Sequence, residues 1–124
     1  MRVAPQWVQD LVLRVALDEN QDALPEVVWR HGRGGGRAYA SGRLVLSVAG
    51  RPRRAQKLVL LHELAHWLNP KQHHSSAFWD TAWRLYRRYK VPVRYAARRE
   101  GHYRAGALVA ARRAGVRATK ERTR

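Results

Sequence analysis

The sequence predicts one small α+β domain with an N-terminal helix, a sheet of two or three short strands and further helices after the sheet. Its 124 residues suffice for one domain, and 45% of them are hydrophobic, so the domain can bury a core. Three segments carry apolar residues at the three-to-four spacing of a helix. Two short strand-like runs, bounded by glycine and proline, lie between the first two of these segments.

The first half of the chain contains the predicted sheet. Residues 5–17 form the predicted N-terminal helix, which ends in a polar turn. A strand is predicted over residues 26–30, and the glycine-rich residues 31–36 are predicted to form a turn or loop. Residues 39–48 form the second predicted strand, because leucine and valine side chains alternate along it with arginine and serine.

The second half of the chain is predicted to be helical. Residues 53–69 form the strongest helix, which ends at Asn69-Pro70 because proline cannot continue a helix. A second helix is predicted over residues 77–89, and residues 95–114 permit a third. The chain is therefore divided into a core, a basic helical extension of the same domain and a disordered basic tail, which are residues 1–92, 93–116 and 117–124.

The chain is strongly basic, with 25 Lys and Arg residues, nine Asp and Glu residues and a formal net charge of +16. Such a charge is typical of proteins that bind nucleic acids. A charged stripe at helical spacing is the predicted contact with a phosphate backbone, and it comprises Arg84, Arg87, Arg88 and Lys90. A solvated basic surface is the alternative interpretation.

Cysteine content and hydropathy restrict the classes of protein. The absence of cysteine excludes disulfide bonds, cysteine-ligated zinc and a thiol nucleophile. No stretch reaches the roughly 18 consecutive apolar residues of a membrane span, and residues 1–17 lack the apolar core of a signal peptide. We therefore expect a cytoplasmic protein without a membrane partner, and the basic charge is compatible with association with the nucleoid.

The segment His62-Glu63-Leu64-Ala65-His66 forms an H-E-x-x-H pattern within the strongest predicted helix. Residues four apart lie on one face of a helix, so the two imidazoles can bind one metal ion. Zinc suits imidazole ligands, and a catalytic zinc site needs only three protein ligands when water takes the fourth position. Glu63 then lies beside the ion, where it can accept a proton from the attacking water and pass it to a leaving amine.

The third ligand is expected directly after this helix. Asn69-Pro70 ends the helix, the chain turns, and His73 and His74 follow. A short turn can bring one histidine of this pair back to the helix face. The spacing alone does not decide between the two.

The H-E-x-x-H motif and the following His74-Ser75-Ser76-Ala77-Phe78-Trp79 resemble the SprT-like and YgjP-like metallopeptidases, a group that includes the DNA–protein crosslink protease Spartan. The signature of that group is H-E-x-x-H, a variable loop and H-(G/S)-x-x-F/W, and the resemblance covers roughly residues 27–89. It implies a small zincin-like fold, a Zn²⁺ cofactor, a protein substrate and Phe78-Trp79 packed beneath the site. The implied site residues are the metal ligands His62, His66 and His74 and the catalytic Glu63. Many members carry a cysteine zinc ribbon, which this chain lacks, so the same substrate is not implied.

A peptidase holds its substrate in an extended conformation, commonly against an exposed strand beside the active-site helix. The predicted strand over residues 39–48, with Tyr39, Leu44 and Leu46, is the candidate for this role, and an ordinary strand covered on both edges is the alternative. The predicted reaction is hydrolysis of peptide bonds, with DNA-associated proteins as one class of substrate. The rival functions are a nucleic-acid-binding protein with a structural metal and a protein that binds a host target without turnover.

Overall fold

The computed structural model describes residues 3–71 and 73–100. These residues form four helices and three strands, which confirms the predicted α+β class. In chain order the elements are α1 (Gln6–Asp18), β1 (Glu26–Trp29), β2 (Gly36–Ala38), β3 (Arg43–Leu46), α2 (Arg53–Leu68), α3 (Ser76–Arg88) and α4 (Val93–Glu100). Within these residues, no helix combines the length and the apolar character that crossing a bilayer requires. Most of the predicted extension and the whole predicted tail, residues 117–124, lie outside the described residues.

The sheet has the strand order β1-β3-β2, so β3 lies in the centre of the three described strands. β1 pairs with β3 in parallel, with Val28 opposite Val45. β2 pairs with β3 in antiparallel fashion, with Arg37 opposite Val45. The outer edges of this sheet are therefore β1 on one side and β2 on the other.

A tight hairpin divides the long strand that the sequence predicts over residues 39–48. Gly42 has a φ of 93°, a left-handed conformation that glycine adopts at low cost. Its N–H donates a hydrogen bond of 2.9 Å to the carbonyl oxygen of Tyr39. β3 consequently begins only at Arg43, and the glycine-led β2 begins at the last residue of the segment predicted to be a loop.

The core lies between the sheet and the helices α2 and α3. β3 packs on α2 and buries Leu44 and Leu46 completely. α3 also packs against α2 and contributes four of the largest buried side chains, Phe78, Trp79, Trp83 and Tyr86. Each such burial contributes roughly 1.5–3 kcal/mol, so α2 is held firmly between the sheet and α3.

Polar contacts join the C-terminal end of α1 to α3. Arg84 forms an ion pair of 2.6 Å with Glu19. Arg88 forms an ion pair of 3.4 Å with Asp18, and the hydroxyl group of Tyr89 donates a hydrogen bond to the same carboxylate. The acidic end of α1 therefore provides counter-charges to two arginines of the predicted basic stripe.

Candidate metal centre

α2 carries His62, Glu63 and His66 at the side of an open groove. The neighbouring Leu61 and Leu64 are completely buried, so this part of the helix is fixed in the core. His62 is 9% exposed and Glu63 is 6% exposed, whereas His66 is half-buried. The apolar contacts of α2 thus hold three polar side chains in fixed positions at the groove wall.

The loop between α2 and α3 brings His74 back towards α2. The side-chain amide of Asn69 donates hydrogen bonds to the Ala65 carbonyl at 3.0 Å and to the Thr81 hydroxyl at 2.9 Å, so it ties the end of α2 to α3. Lys71 and His73 both have positive φ, which reverses the chain within a few residues. His74 then lies directly before the N-cap of α3, where the Ser75 hydroxyl accepts a hydrogen bond from the Phe78 N–H.

The Nε2 atoms of three histidines converge in the groove. Nε2 of His74 lies 3.2 Å from that of His62 and 3.3 Å from that of His66. Nitrogen ligands about 2.0–2.1 Å from zinc in a tetrahedral site lie about 3.3–3.4 Å apart. The observed spacing matches this value, so the three imidazoles can hold a metal ion. The alternative ligand His73 lines the groove but does not belong to the cluster.

Two aromatic side chains of α3 pack against the imidazole rings of the cluster. The ring of Phe78 stacks on His66, with the two centroids 4.1 Å apart, and Trp79 stacks on His74 at 5.6 Å. Both aromatic side chains are buried. They restrict the rotamers of the imidazoles, which confirms the expectation that Phe78 and Trp79 pack beneath the site.

A buried carboxylate orients the first histidine. Nδ1 of His62 donates a hydrogen bond of 2.8 Å to Oε2 of Glu100, and the hydroxyl of Tyr86 donates to the same oxygen. Glu100 is only 4% exposed and Tyr86 is only 1% exposed. With its Nδ1 proton directed at Glu100, His62 presents the lone pair of Nε2 to the cluster, which is the tautomer that binds a metal.

Sequence reasoning missed Glu100, which is separated from His62 by 38 positions. One signal could have drawn attention to it. Glu100 is the only acidic residue between residues 93 and 116 in a segment that is otherwise basic. A single carboxylate in such a segment is a candidate partner for a buried polar group.

The histidines have opposite shifts in pKa. Burial lowers the pKa of His62, but the hydrogen bond and charge of Glu100, together with the charge of Glu63, outweigh this effect and raise it. Burial and the charges of His62, His74 and His73 lower the pKa of His66 to about 4. His66 is therefore neutral at neutral pH and has a free lone pair for a metal.

Gly36 on β2 lies directly against Glu63. A Cβ atom at position 36 would lie 2.7 Å from Cγ of Glu63 and 3.0 Å from its Oε2. Burial raises the pKa of Glu63, and the charge of Glu100 adds to this rise, while the charges of His62 and Arg37 partly oppose it. A raised pKa makes this carboxylate a stronger base for accepting a proton.

The groove beside the cluster has a volume of about 940 Å³. Its walls are the segment from Gly36 to Gly42, the second half of α2 and the loop that carries His74. Trp67 lines it close to Gly42. Glu63 lines the same groove, so a ligand bound in the groove would lie beside this carboxylate.

The predicted substrate strand requires a correction. Leu44 and Leu46 are completely buried on β3, and the backbone of β3 is paired on both sides, so they cannot line an exposed edge. Tyr39 is 46% exposed and does line the groove, but it follows β2 and is not part of β3. The strand edge beside the cluster belongs to β2 instead.

The predicted basic stripe on α3 is exposed at Arg84, Arg87, Arg88 and Lys90. Two of the four, however, form the ion pairs with the end of α1. Only part of the positive charge of this stripe is therefore uncompensated, and its contact with nucleic acid stays a prediction.

Comparison of the chain with protein-family models, curated proteins and solved structures finds no match. The fold and the site together define this protein as a small α+β domain with three converging histidines that can hold a metal ion.

Proposed function

We propose that this protein is a zinc-dependent metallopeptidase of zincin-like fold, with His62, His66 and His74 as metal ligands and Glu63 as general base. One observation carries the proposal. Nε2 of His74 lies at tetrahedral spacing from Nε2 of both His62 and His66, and these three histidines lie beside a carboxylate in an open groove. A structural zinc site fills its fourth position with a protein ligand, whereas in the described residues the cluster consists of three histidines.

A zinc ion at this position supplies Lewis-acid polarisation of the scissile carbonyl group and makes water more acidic. The protein supplies the remaining chemistry. Glu63 accepts the proton of the attacking water and delivers it to the leaving amine nitrogen, as its raised pKa permits. Glu100 and Tyr86 act as positioning residues, because they hold His62 in one tautomer and one orientation.

The substrate is a protein segment in extended conformation that pairs with the outer edge of β2. The inner N–H and C=O groups of β2 and its flanking residues pair with β3, as the bonds from Tyr39 to Arg43 and from Ser47 to Gly35 show. In an antiparallel ladder the alternate residues Gly36 and Ala38 direct their backbone groups outwards. A peptide that binds these groups passes directly over Glu63.

Metal analysis and proteolysis assays on matched variants test the proposal. Purified wild type is expected to contain one zinc ion per chain and to cleave casein, and Glu63→Gln to keep the zinc but lose cleavage. His74→Ala is expected to lose zinc, and His73→Ala, the neighbouring histidine outside the cluster, to retain it. Stoichiometric zinc without cleavage of any protein by wild type would instead support the target-binding rival.

A further inference from the structure

Four cationic side chains outside the histidine cluster form a second candidate binding surface. Arg53, Arg54 and Lys57 lie in the first turns of α2, and Lys90 follows the C-terminal end of α3. We call these four residues the basic patch. Arg53, Arg54 and Lys90 are exposed, and Lys57 is partly buried.

The basic patch shares Lys90 with the predicted stripe, but it differs from the arginines of that stripe in its lack of counter-charges. Arg84 and Arg88 on α3 pair with Glu19 and Asp18. Within residues 3–71 and 73–100, no carboxylate forms an ion pair with Arg53, Arg54, Lys57 or Lys90. The first turn of α2 contains no acidic residue either. The charge of this surface is therefore available to an external partner.

Lys57 lies close enough to Arg53 and Lys90 for both charges to repel it. Burial of Lys57, together with the charges of Arg53 and Lys90, lowers the pKa of Lys57. Like charges held together destabilise the isolated protein. An anion that binds between them removes this repulsion, so the patch is a place where binding a polyanion gains more than at an isolated arginine.

Two aromatic rings hold the arginines of the basic patch in place. The Cζ atom of Arg53 lies 4.3 Å from the ring centroid of Trp7, and that of Arg54 lies 4.4 Å from the ring centroid of Tyr95. A guanidinium group that stacks on a ring keeps its N–H edges free, and these edges match the two oxygens of a phosphate. Less side-chain entropy is lost on binding, because the rings already restrict both arginines.

The geometry points to the basic patch as a binding surface for the phosphate backbone of a nucleic acid. Residues four apart on a helix, such as Arg53 and Lys57, have Cβ atoms about 5–6 Å apart, so they can contact neighbouring phosphates along one strand. A membrane surface fits less well, since interfacial binding needs apolar anchors beside the cations. Among the exposed large apolar side chains of the described residues, Val93 is the nearest in sequence to the patch, and it is only 37% exposed.

Salt-dependent binding of the full chain to a fluorescent DNA duplex tests this surface. Arg53→Gln with Lys57→Gln changes the net charge by two in the basic patch, and Arg84→Gln with Arg88→Gln makes the same change on the α3 stripe. Each neutralised phosphate contributes about 0.9 to the slope of log K against log salt. The patch variant should therefore lose about 1.8 from the slope, and the stripe variant less than half as much.

Several outcomes would overturn the inference. Equal losses in both double variants would show that only net charge matters, and an unchanged slope in the patch variant would place the contact elsewhere. Stronger binding to anionic phosphatidylserine vesicles than to DNA would indicate a membrane partner. Circular dichroism checks folding, and Lys57→Gln with Lys90→Gln, which leaves both stacked arginines intact, should give the same loss if the first variant is unstable. The loss of slope in the patch variant should be the same after treatment with a chelator, which would show that DNA binding does not depend on peptidase activity.

Discussion

Replacing Gly36 by alanine changes the clearance between β2 and the proposed general base. Gly36 does not have a positive φ, so its backbone conformation does not require glycine. Space requires it, because the added Cβ would lie 2.7 Å from Cγ of Glu63 and 3.0 Å from Cδ2 of Leu46. Either the Glu63 side chain or the strand must move to accept one methyl group.

The size of this movement sets the expected loss of activity. Ordinary van der Waals contact begins at 3.4 Å, so the atoms must separate by at least about 0.7 Å. Misplacement of a catalytic group by about 1 Å costs on the order of 10²-fold in rate. Such a loss corresponds to about 2.7 kcal/mol of transition-state stabilisation. Zinc affinity should change little, since the proposed metal ligands are the three converging histidines and Glu63 is not a ligand.

Gly35 provides the matched control, because nothing lies within 4 Å of a Cβ at that position. Cleavage of a fluorogenic casein substrate by wild type, Gly36→Ala and Gly35→Ala is measured together with zinc content. We expect kcat/KM to fall on the order of 10²-fold in Gly36→Ala only. Equal activity in the two variants, or loss of zinc along with activity in Gly36→Ala, would refute the proposed role of this clearance.

The remaining predictions concern the groups around the cluster. Glu100→Leu should weaken zinc binding by about 10- to 100-fold, measured in competition with a chelating dye. Glu100→Gln should retain more of the affinity, because it keeps an acceptor for the N–H of His62 Nδ1. Equal losses in the two variants would contradict orientation of His62 through this hydrogen bond. The folded-state pKa of His66 is about 4, below its unfolded value of 6.5, so the metal-free protein should lose about 1 kcal/mol relative to His66→Gln between pH 7.5 and pH 5, after discounting for screening at this half-buried side chain. Urea denaturation at the two pH values measures this difference, and a constant difference would refute it. Burial and the hydrogen bond to Asp18 raise the pKa of Tyr89 to about 12, so its contribution to stability is complete below pH 10 and is lost as pH rises through 12. Ultraviolet difference titration should show a tyrosinate transition near pH 12 that is smaller by one tyrosine in Tyr89→Phe, and an unchanged amplitude would refute this assignment.

The part of the site that depends on local sequence could be predicted. His62, Glu63 and His66 share one helix, so a fixed spacing places them together whatever surrounds the helix. The choice of His74 over His73 came from a resemblance, because it depends on two left-handed residues in the loop and on the Asn69 side chain. Spacing carries no information about either.

Contacts between distant segments could not be predicted. β2 has only three residues and no apolar alternation, so its pairing with β3 became visible only with the turn at Gly42. Asp18 and Glu19 indicated only the polar end of a helix in the sequence, and their ion pairs with α3 depend on how α1 packs. Glu100 reaches His62 from another helix for the same reason.

Residues from α2, the following loop and α4 meet around one small volume. An ion bound there would act as a reversible crosslink that adds to the packing and the hydrogen bonds between these parts of the chain. Ligand binding stabilises a fold by about 2.7 kcal/mol when the free ligand is at 100 times its dissociation constant. The lifetime of this protein in a cell should therefore follow the supply of metal, and starvation for the ion would expose the chain itself to degradation.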